Sequence, residues 1–315
     1  MKRLQKMANR REIELLQYAL IGNLPLLKKN ILPLVQFYRK YFTVCKILKL
    51  LKIDRNNYYY WRKVHDQNYL KKMEKRKIIK KIGFLCQKYH FAFGYRKITF
   101  LYQKIYQVSI NKKFVLKIMQ QNNWLKKWNI PNTKNHDWKK FQQTQKNLIQ
   151  KDFRAHEPFT KLYTDLTCFT TNKGYFWLST IIDGYNNKIV ASSFGKQGNL
   201  QLVKKTFRQI PKLKKPCFIH SDQGKVYQGI YFQKYLNKKG FMISMSAKAS
   251  PNENAVIESY FSNLKGYFRY HEPQLFQHSF EKINQKIKKF TSFYNKEWIF
   301  AKLNYQSPHN FRKEV

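Results

Sequence analysis

The residue pattern becomes β-prone near residue 158, and this change constrains the fold of the chain more than any other feature. Three β-prone segments follow it, KLYTDLTCFTT, KGYFWLSTIIDGY and NKIVASSFG, and turn signals at 172–174 and 184–187 separate them. A helix near 199–210, the strand KPCFIHSD, a helix near 226–239, the strand GFMISMS and helices over 252–270 and 280–294 come next. An antiparallel meander continued by alternating helices and strands predicts a mixed α/β sheet with helices on its faces.

The charge balance indicates a polyanionic partner. Lys and Arg number 62 against 17 Asp and Glu, which gives a formal net charge of +45. A chain this positive repels itself unless a large anion such as DNA or RNA neutralises it. Residues 75–151 hold 19 Lys/Arg and a single acid, Asp137, so this stretch is the predicted nucleic-acid surface, with a solvated basic face as the alternative. No apolar stretch approaches the length of a membrane span.

The residues before the sheet are predicted to be helical. A helix-turn-helix pattern spans 33–63, and a mostly helical stretch over 70–125 breaks at residues 93–96. Within that stretch Val115, Ile118 and Met119 share one face, and Lys112 and Lys113 lie toward the other side. The aromatic run at 58–61 suits base stacking or helix packing, and packing is the commoner use of such a cluster.

These patterns predict five regions. They are an N-terminal helical segment at 1–65, a basic helix-turn-helix-like DNA-binding domain at 66–130, a linker at 131–157, an α/β core at 158–272 and a C-terminal helical extension at 273–315. The polar residues from 126 to 155 are weakly periodic, so little fixed structure is expected there.

Few acids are left to bind a metal in the core. Residues 160–270 contain five, Asp165, Asp183, Asp222, Glu253 and Glu258. Asp165 falls within the first strand, Asp222 follows a strand end, and Glu258 lies in the helix that begins near residue 252. Carboxylates brought together from these elements can hold two divalent ions for in-line attack on a phosphodiester.

The other candidates in the core favour structural roles. Asp183 precedes a glycine in a turn signal, which predicts a turn cap. Glu253 lies in a first helical turn, where negative charge suits the helix dipole. His220 is interpreted as a hydrogen-bonded structural histidine or as a group that positions water or DNA.

One side of the helix after residue 252 carries Asn254, Glu258, Phe261 and Lys265, spaced i, i+4, i+7 and i+11. This side suits metal at Glu258 and DNA at Asn254 and Lys265. The alternative is an ordinary amphipathic helix. In it this side is solvated, and the buried residues are Ala255, Val256, Tyr260 and Leu264.

Several motifs resemble a known family. YTDLTCF, HSDQGKVYQ and SMSAKASPNENAVIESYFSNLK are similar to the catalytic core of the DDE transposases of the IS-three family of bacterial insertion sequences, specifically the OrfB part, and to the retroviral integrase core. Asp165, Asp222 and Glu258 match the three family carboxylates, with the family spacing of 35 residues between the last two, and Lys265 matches the family's basic residue.

The resemblance extends from about residue 34 to the C-terminus. The segment around FGYRKI and VSINKKFVLKIMQQNNW resembles the helical domain that precedes the family core, which assigns Tyr95, Arg96, Lys112 and Lys113 to DNA contacts. FYNKEWIFAKLNYQSPHNF resembles the C-terminal signature. The chain departs from the family pattern at Tyr163, where Trp is usual, at Glu253, where Asp is usual, and at Trp298, where Arg is usual.

The resemblance implies an α/β RNase H-like (integrase) core with a mixed five-stranded sheet, preceded by a small basic all-α DNA-binding region. It implies DNA cleavage at element ends and 3′-OH strand transfer with Mg²⁺ or Mn²⁺, two ions per active site. The implied partners are double-stranded DNA of element ends and target, OrfA or an OrfA–OrfB fusion, and further copies of the chain on DNA. The implied location is the bacterial cytoplasm, in association with the nucleoid.

Two other functions are kept as alternatives. Trp298 and the short stretch before the resemblance begins suggest a non-catalytic DNA-binding relic or an inhibitor of transposition. An RNase H-like nuclease that acts on RNA or hybrids would use the same core.

Overall fold

The computed structural model describes residues 10, 28–126, 128, 148–149, 152, 155–171, 174–213, 215–246 and 254–313. Glu253 and most of the predicted linker therefore lie outside the described residues. The chain divides into two compact units, Met1–Phe84 and Leu85–Val315. In the part of the chain that the structure describes, no helix is both long and apolar enough to cross a membrane.

The first unit is built from helices. They are α1 (Lys28–Tyr38), α2 (Val44–Leu50) and most of α3 (Arg55–Lys88). The Thr43 side chain accepts a hydrogen bond from the Lys46 N–H and caps α2, and Asp54 accepts one from the Asn57 N–H at the start of α3. Tyr58 is buried in the apolar cluster of this unit, whereas Tyr60 is 64% exposed. The aromatic run thus begins with helix packing, as predicted, and continues onto the surface.

The second unit begins with the end of α3 and a helix pair. After the predicted break come α4 (Tyr95–Tyr106) and α5 (Lys112–Gln121). The Asn111 side chain accepts a 2.8 Å hydrogen bond from the Lys113 N–H and caps α5. Val115, Ile118 and Met119 are buried, which confirms the predicted apolar face.

A mixed five-stranded sheet forms the centre of the second unit. Its strands are β1 (Lys161–Thr171), β2 (Gly174–Asp183), β3 (Ile189–Gly195), β4 (Cys217–Ser221) and β5 (Phe241–Met245). The spatial order is β3-β2-β1-β4-β5. The first three strands form the predicted antiparallel meander, and β4 and β5 continue the sheet in parallel with β1.

Helices cover both faces of the sheet. They are α6 (Leu200–Phe207), α7 (Lys225–Gln228), α8 (Ile230–Lys238), α9 (Ala255–His271), α10 (Phe280–Lys296) and α11 (Pro308–Lys313), with 3₁₀ turns at Leu275–Gln277 and Ala301–Leu303. Side chains from α6, α7 and α8 share one apolar cluster with Leu162 and Ile219 of the sheet, while α9 packs against β1 and β2. The single helix predicted over 226–239 is two helices, because the backbone at Gly229 is extended.

The segment predicted to have little fixed structure packs on the core where it is described. Lys126 Nζ donates a 2.7 Å hydrogen bond to Asn263 of α9. Trp128 is 5% exposed, and its ring occupies the space that a side chain on Gly266 would need, only 2.3 Å from an added Cβ. The Leu148 N–H donates to Ser244 Oγ of β5. Sequence polarity missed these interactions because α9 and β5 are distant in sequence.

Candidate active site

The register between the two central parallel strands places Asp165 beside the end of β4. Tyr163 of β1 lies opposite His220 of β4, and continuing this offset by two residues aligns Asp165 with Asp222. Adjacent strands lie about 4.8 Å apart, so the two carboxylates lie close together. Asp165 also shares its sheet face with Phe169, because alternate residues of a strand point to the same side.

A tight turn holds Asp222 just beyond β4. Its Oδ1 accepts a 3.0 Å hydrogen bond from the Gly224 N–H. A Cβ on residue 224 would stand 3.0 Å from that same oxygen, so a glycine here lets the carboxylate approach the backbone closely. The turn therefore orients the carboxylate before any ligand binds.

The helix α9 brings Glu258 and Lys265 to the same face. Glu258 lies in the first turn of α9 and is exposed. Two turns later, Lys265 Nζ lies 5.5 Å from the centre of the Phe169 ring, on the face that carries Asp165. The structure thus brings Asp222, Glu258 and Lys265 near enough to Asp165 to influence its pKa, and none of the carboxylates is sealed from solvent.

The negative charges of the three carboxylates repel one another, and this repulsion affects their pKa values. Removal from water raises the pKa of Asp165 well above its ordinary value, and the charges of Asp222 and Glu258 raise it further. The Leu166 N–H, which donates to Asp165 Oδ1 at 2.7 Å, acts in the opposite direction. Burial also raises the pKa of Asp222, and a partial loss of solvation together with the charge of Asp222 raises the pKa of Glu258. A divalent cation would relieve the repulsion that these groups share.

Among the residues that the structure describes, no group of three or more His, Cys, Asp or Glu side chains is arranged to hold a metal ion as it stands. The donor set nevertheless fits a hard cation, since all three candidates offer carboxylate oxygens.

The competing residues serve the fold. Asp183 is fully buried, accepts hydrogen bonds from the N–H groups of Phe159 and Tyr185, and pairs with Arg312 at 3.2 Å. This confirms the predicted turn cap. His220 is 1% exposed and forms a 3.0 Å hydrogen bond between Nδ1 and Ser244 Oγ, as a structural histidine would.

The residues predicted to contact DNA differ in accessibility. Arg96, Lys112 and Lys113 are exposed, and Tyr95 is partly buried with its hydroxyl accepting a hydrogen bond from Arg96 Nε. Asn254 is 2% exposed, and neither polar atom of its side chain has a hydrogen-bond partner among the residues that the structure describes. Phe261, on the same side of α9, is buried as well. This side of the helix is therefore partly buried and not fully exposed to solvent. The DNA contacts themselves remain predictions.

Trp298 is a buried packing residue. It is 3% exposed and meets Phe93 edge to face at 5.5 Å. Lys97 Nζ lies 5.3 Å from the centre of the Trp298 ring and also lies over Phe93 and Phe300. Burial, together with the charge of Lys126, lowers the pKa of Lys97 to about 8. A cation from α4 thus lies against the position where the family has arginine.

The sequence did not single out Gln223, which follows Asp222. Its Nε2 donates a 3.0 Å hydrogen bond to the Ser246 carbonyl, and the Ser246 N–H donates to the Ser221 carbonyl. Both backbone polar groups of Ser246 are therefore hydrogen-bonded to residues 221 and 223, which flank Asp222. No local signal could have found this role, because it depends on how β4 and β5 pair.

The mixed five-stranded sheet defines the class of this protein as an α/β integrase core. The integrase core domain model matches residues 155–251, which include Asp165 and Asp222 and end before Glu258.

Known proteins are similar to this chain over different shares of their length. A transposase-like protein of Haemophilus influenzae is 36% identical over 171 residues, which cover 53% of this chain and 77% of that protein. The putative transposase InsK for insertion sequence element IS150 of Escherichia coli is 27% identical over 282 residues, 88% of this chain and 96% of that protein. The HTLV-2 integrase catalytic core domain, solved with magnesium as a dimer, is 19% identical, with a TM-score of 0.36 over 46% of this chain and 91% of that one.

The chain belongs to the transposase-like proteins, and its residues 155–251 match the integrase core domain. The resemblance seen in the sequence motifs is confirmed at this level.

Proposed function

We propose that this chain is a divalent-metal-dependent DNA transposase, which cleaves the ends of an insertion element and joins them to target DNA. The proposal is supported by the register of β1 and β4, in which Asp165 aligns with Asp222 at the end of β4. It is also supported by the position of Glu258 on α9, where its charge acts on Asp165. Two fixed carboxylates and one on an exposed helical turn suit a site that must accept a large substrate.

The proposed metal ligands are Asp165, Asp222 and Glu258. Mg²⁺ or Mn²⁺, two ions per site, would activate the attacking oxygen and stabilise the leaving oxygen of a phosphodiester. Closure around an ion requires a side chain to move, and the exposed Glu258 is the group with room to do so. Lys265 supplies a cation on the same face, where it can pair with a DNA phosphate.

The reaction proceeds in two in-line displacements. Water first attacks the phosphodiester at an element end and releases a 3′-OH. That 3′-OH then attacks a phosphodiester of the target, so one bond forms as another breaks. No covalent enzyme–DNA intermediate is required.

The proposed partners follow from this activity. They are double-stranded DNA of element ends and target, further copies of the chain on that DNA, and an OrfA protein or OrfA–OrfB fusion that recognises the ends. The net charge of +45 supports a polyanionic partner.

The substitution Asp222→Asn tests the site. We expect strand transfer with Mg²⁺ to be lost, and we expect the metal-free variant to melt at a higher temperature than wild type, because one of three mutually repelling charges is gone. Mg²⁺ should raise the melting temperature of wild type more than that of the variant. Glu281→Gln on the exposed surface of α10 is the control. Strand transfer that survived Asp222→Asn would overturn the assignment.

The alternative of a non-catalytic DNA-binding relic or inhibitor is separated by a nicking assay. An oligonucleotide that contains an element end is incubated with the protein and Mg²⁺. A pure binder shifts the DNA without cutting it, whereas the proposed enzyme nicks it only when metal is present.

A further inference from the structure

The middle of helix α3 is open to solvent, and we call residues 62–77 the exposed segment. Every residue in it is exposed except Met73, which is partly buried. Before the segment, Tyr58 is 5% exposed, and after it Ile82 is fully buried. Packing therefore holds the helix on each side of about four turns that face solvent all round.

The exposed segment is strongly basic. It contains seven Lys/Arg and two acids, Asp66 and Glu74. At about 100° per residue, the seven cations point in all directions around the helix axis rather than to one side. A flat anionic surface could neutralise only some of them.

Interactions within the helix do not balance these charges. Arg62 and Asp66 form an ion pair at 3.9 Å between exposed side chains, which contributes little. Lys71 with Lys75, and likewise Lys72 with Arg76, have like charges at i, i+4, a spacing that destabilises a free helix. A bound anion would remove that repulsion.

The apolar side chains of the segment and its first flank do not suit a protein partner. Tyr60, Tyr69 and Leu70 are 64%, 56% and 61% exposed. Tyr60 and Val64 lie on one side of the helix, whereas Tyr69 lies nearly opposite. A partner helix requires a continuous apolar stripe, and these residues form none.

We propose that the exposed segment is a second DNA-docking helix, which lies in the major groove of duplex DNA and contacts the phosphates on both walls. It is separate from the contacts predicted on α4 and α5, and it rests on the proposed function in that the chain acts on DNA. Sixteen helical residues span about 24 Å, and the major groove, about 12 Å wide, admits an α-helix. Cations around the whole circumference match phosphates on two walls. Such contacts position the protein without reading sequence.

The test uses the full chain and a duplex unrelated to any element. In one variant Lys71, Lys72, Lys75 and Arg76 are replaced by Gln, which keeps the helix propensity high. The matched control replaces four exposed lysines of α10 by Gln, namely Lys282, Lys288, Lys289 and Lys296. Dissociation constants are measured by fluorescence anisotropy in EDTA over a series of salt concentrations.

We expect the slope of log Kd against log salt to fall by about 3 to 4 in the exposed-segment variant, at about 0.9 for each DNA phosphate that the variant no longer neutralises. In the control the slope should fall by less than about 1. An unchanged slope, or an equal fall in both variants, overturns the proposal. So does a change of oligomeric state in sedimentation at an unchanged slope, which would assign the segment to a protein interface.

Two further measurements keep the outcome unambiguous. The melting temperature of the variant should equal or exceed that of wild type, because like-charged pairs have been removed. If the variant fails to fold, Lys71→Gln with Lys75→Gln should lower the slope by about 2. Because binding in EDTA needs no metal, a failure of strand transfer by the wild-type protein would count against the proposed function and not against this helix.

Discussion

At the scale of single residues, a side-chain hydrogen bond next to Asp222 helps to set the geometry of the candidate site. The side-chain amide of Gln223 donates to the Ser246 carbonyl just beyond Ser221 and Met245, the last paired residues of β4 and β5. The amide thus takes the place of a backbone N–H and continues the hydrogen bonding between the two strands. Ser246, whose carbonyl accepts this hydrogen bond, directly follows β5. Gln223 thus links the turn of Asp222 to the end of β5.

Replacing Gln223 by Met should weaken metal binding without unfolding the protein. Met keeps the side-chain length and removes the amide that donates to the Ser246 carbonyl. We expect the Mg²⁺ concentration for half-maximal strand transfer to rise about tenfold, the effect typical of groups that support metal ligands, with a stability loss of about 1 kcal/mol. Gln228→Met on α7 is the matched control. An activity loss with an unaltered Mg²⁺ requirement would show that Gln223 has only a structural role.

At the scale of elements, the C-terminal helix secures the end of β2. Arg312 of α11 pairs with the buried Asp183 at 3.2 Å, and its guanidinium lies over the Phe159 ring at 4.7 Å. The free edge of the sheet is secured in a similar way. The Asn295 side chain of α10 exchanges two hydrogen bonds with the backbone of Ile189 on β3, so both backbone polar groups of the first residue of this edge strand are paired.

The substitution Arg312→Leu should destabilise the protein by about 3 kcal/mol, because it leaves the buried Asp183 carboxylate without its ionic partner. Burial already raises the pKa of Asp183, partly opposed by the N–H groups of Tyr185 and Phe159 and by Arg312. Loss of Arg312 raises it further. The deficit should therefore be full at high pH and shrink as the pH falls and the carboxyl takes up a proton. Urea unfolding at several pH values measures this.

The double variant Asp183→Asn with Arg312→Leu provides the control. It should recover part of the lost stability and show little of the pH dependence. A single variant whose deficit stayed constant with pH would argue against an uncompensated carboxylate as the cause.

At the scale of the whole molecule, the net charge of +45 opposes the compact state. The same excess drives DNA binding through release of counterions. Stability of the free protein and affinity for DNA should therefore respond to salt in opposite directions.

Raising the salt from about 50 mM to 200 mM should increase the melting temperature of the free protein, while the affinity for duplex DNA falls by at least about 10³ if six phosphates are contacted. Duplex DNA at low salt should also raise the melting temperature. Thermal melts and anisotropy titrations over the same salt series check both. A melting temperature that did not respond to salt or to DNA would show that self-repulsion is minor.

The sequence by itself determined the elements and the candidates. Alternating and helical periodicities act between near neighbours, so the meander, the α/β alternation and the buried face of α5 followed from local pattern. The shortage of acids in the core limited the metal ligands to a few residues, among them Asp165, Asp222 and Glu258. The predicted domain boundaries and DNA contacts remain predictions.

Only the tertiary structure decided which of these groups lie together. The parallel register of β1 and β4 joins Asp165 to a residue 57 positions away. Strand pairing gave Gln223 its partner, and packing of α4 placed Lys97 over Trp298. Burial of Asn254 likewise could not be read from its helical position. The physical reason is the same in each case, because these interactions join residues that are distant in sequence, and only the folded chain brings them together.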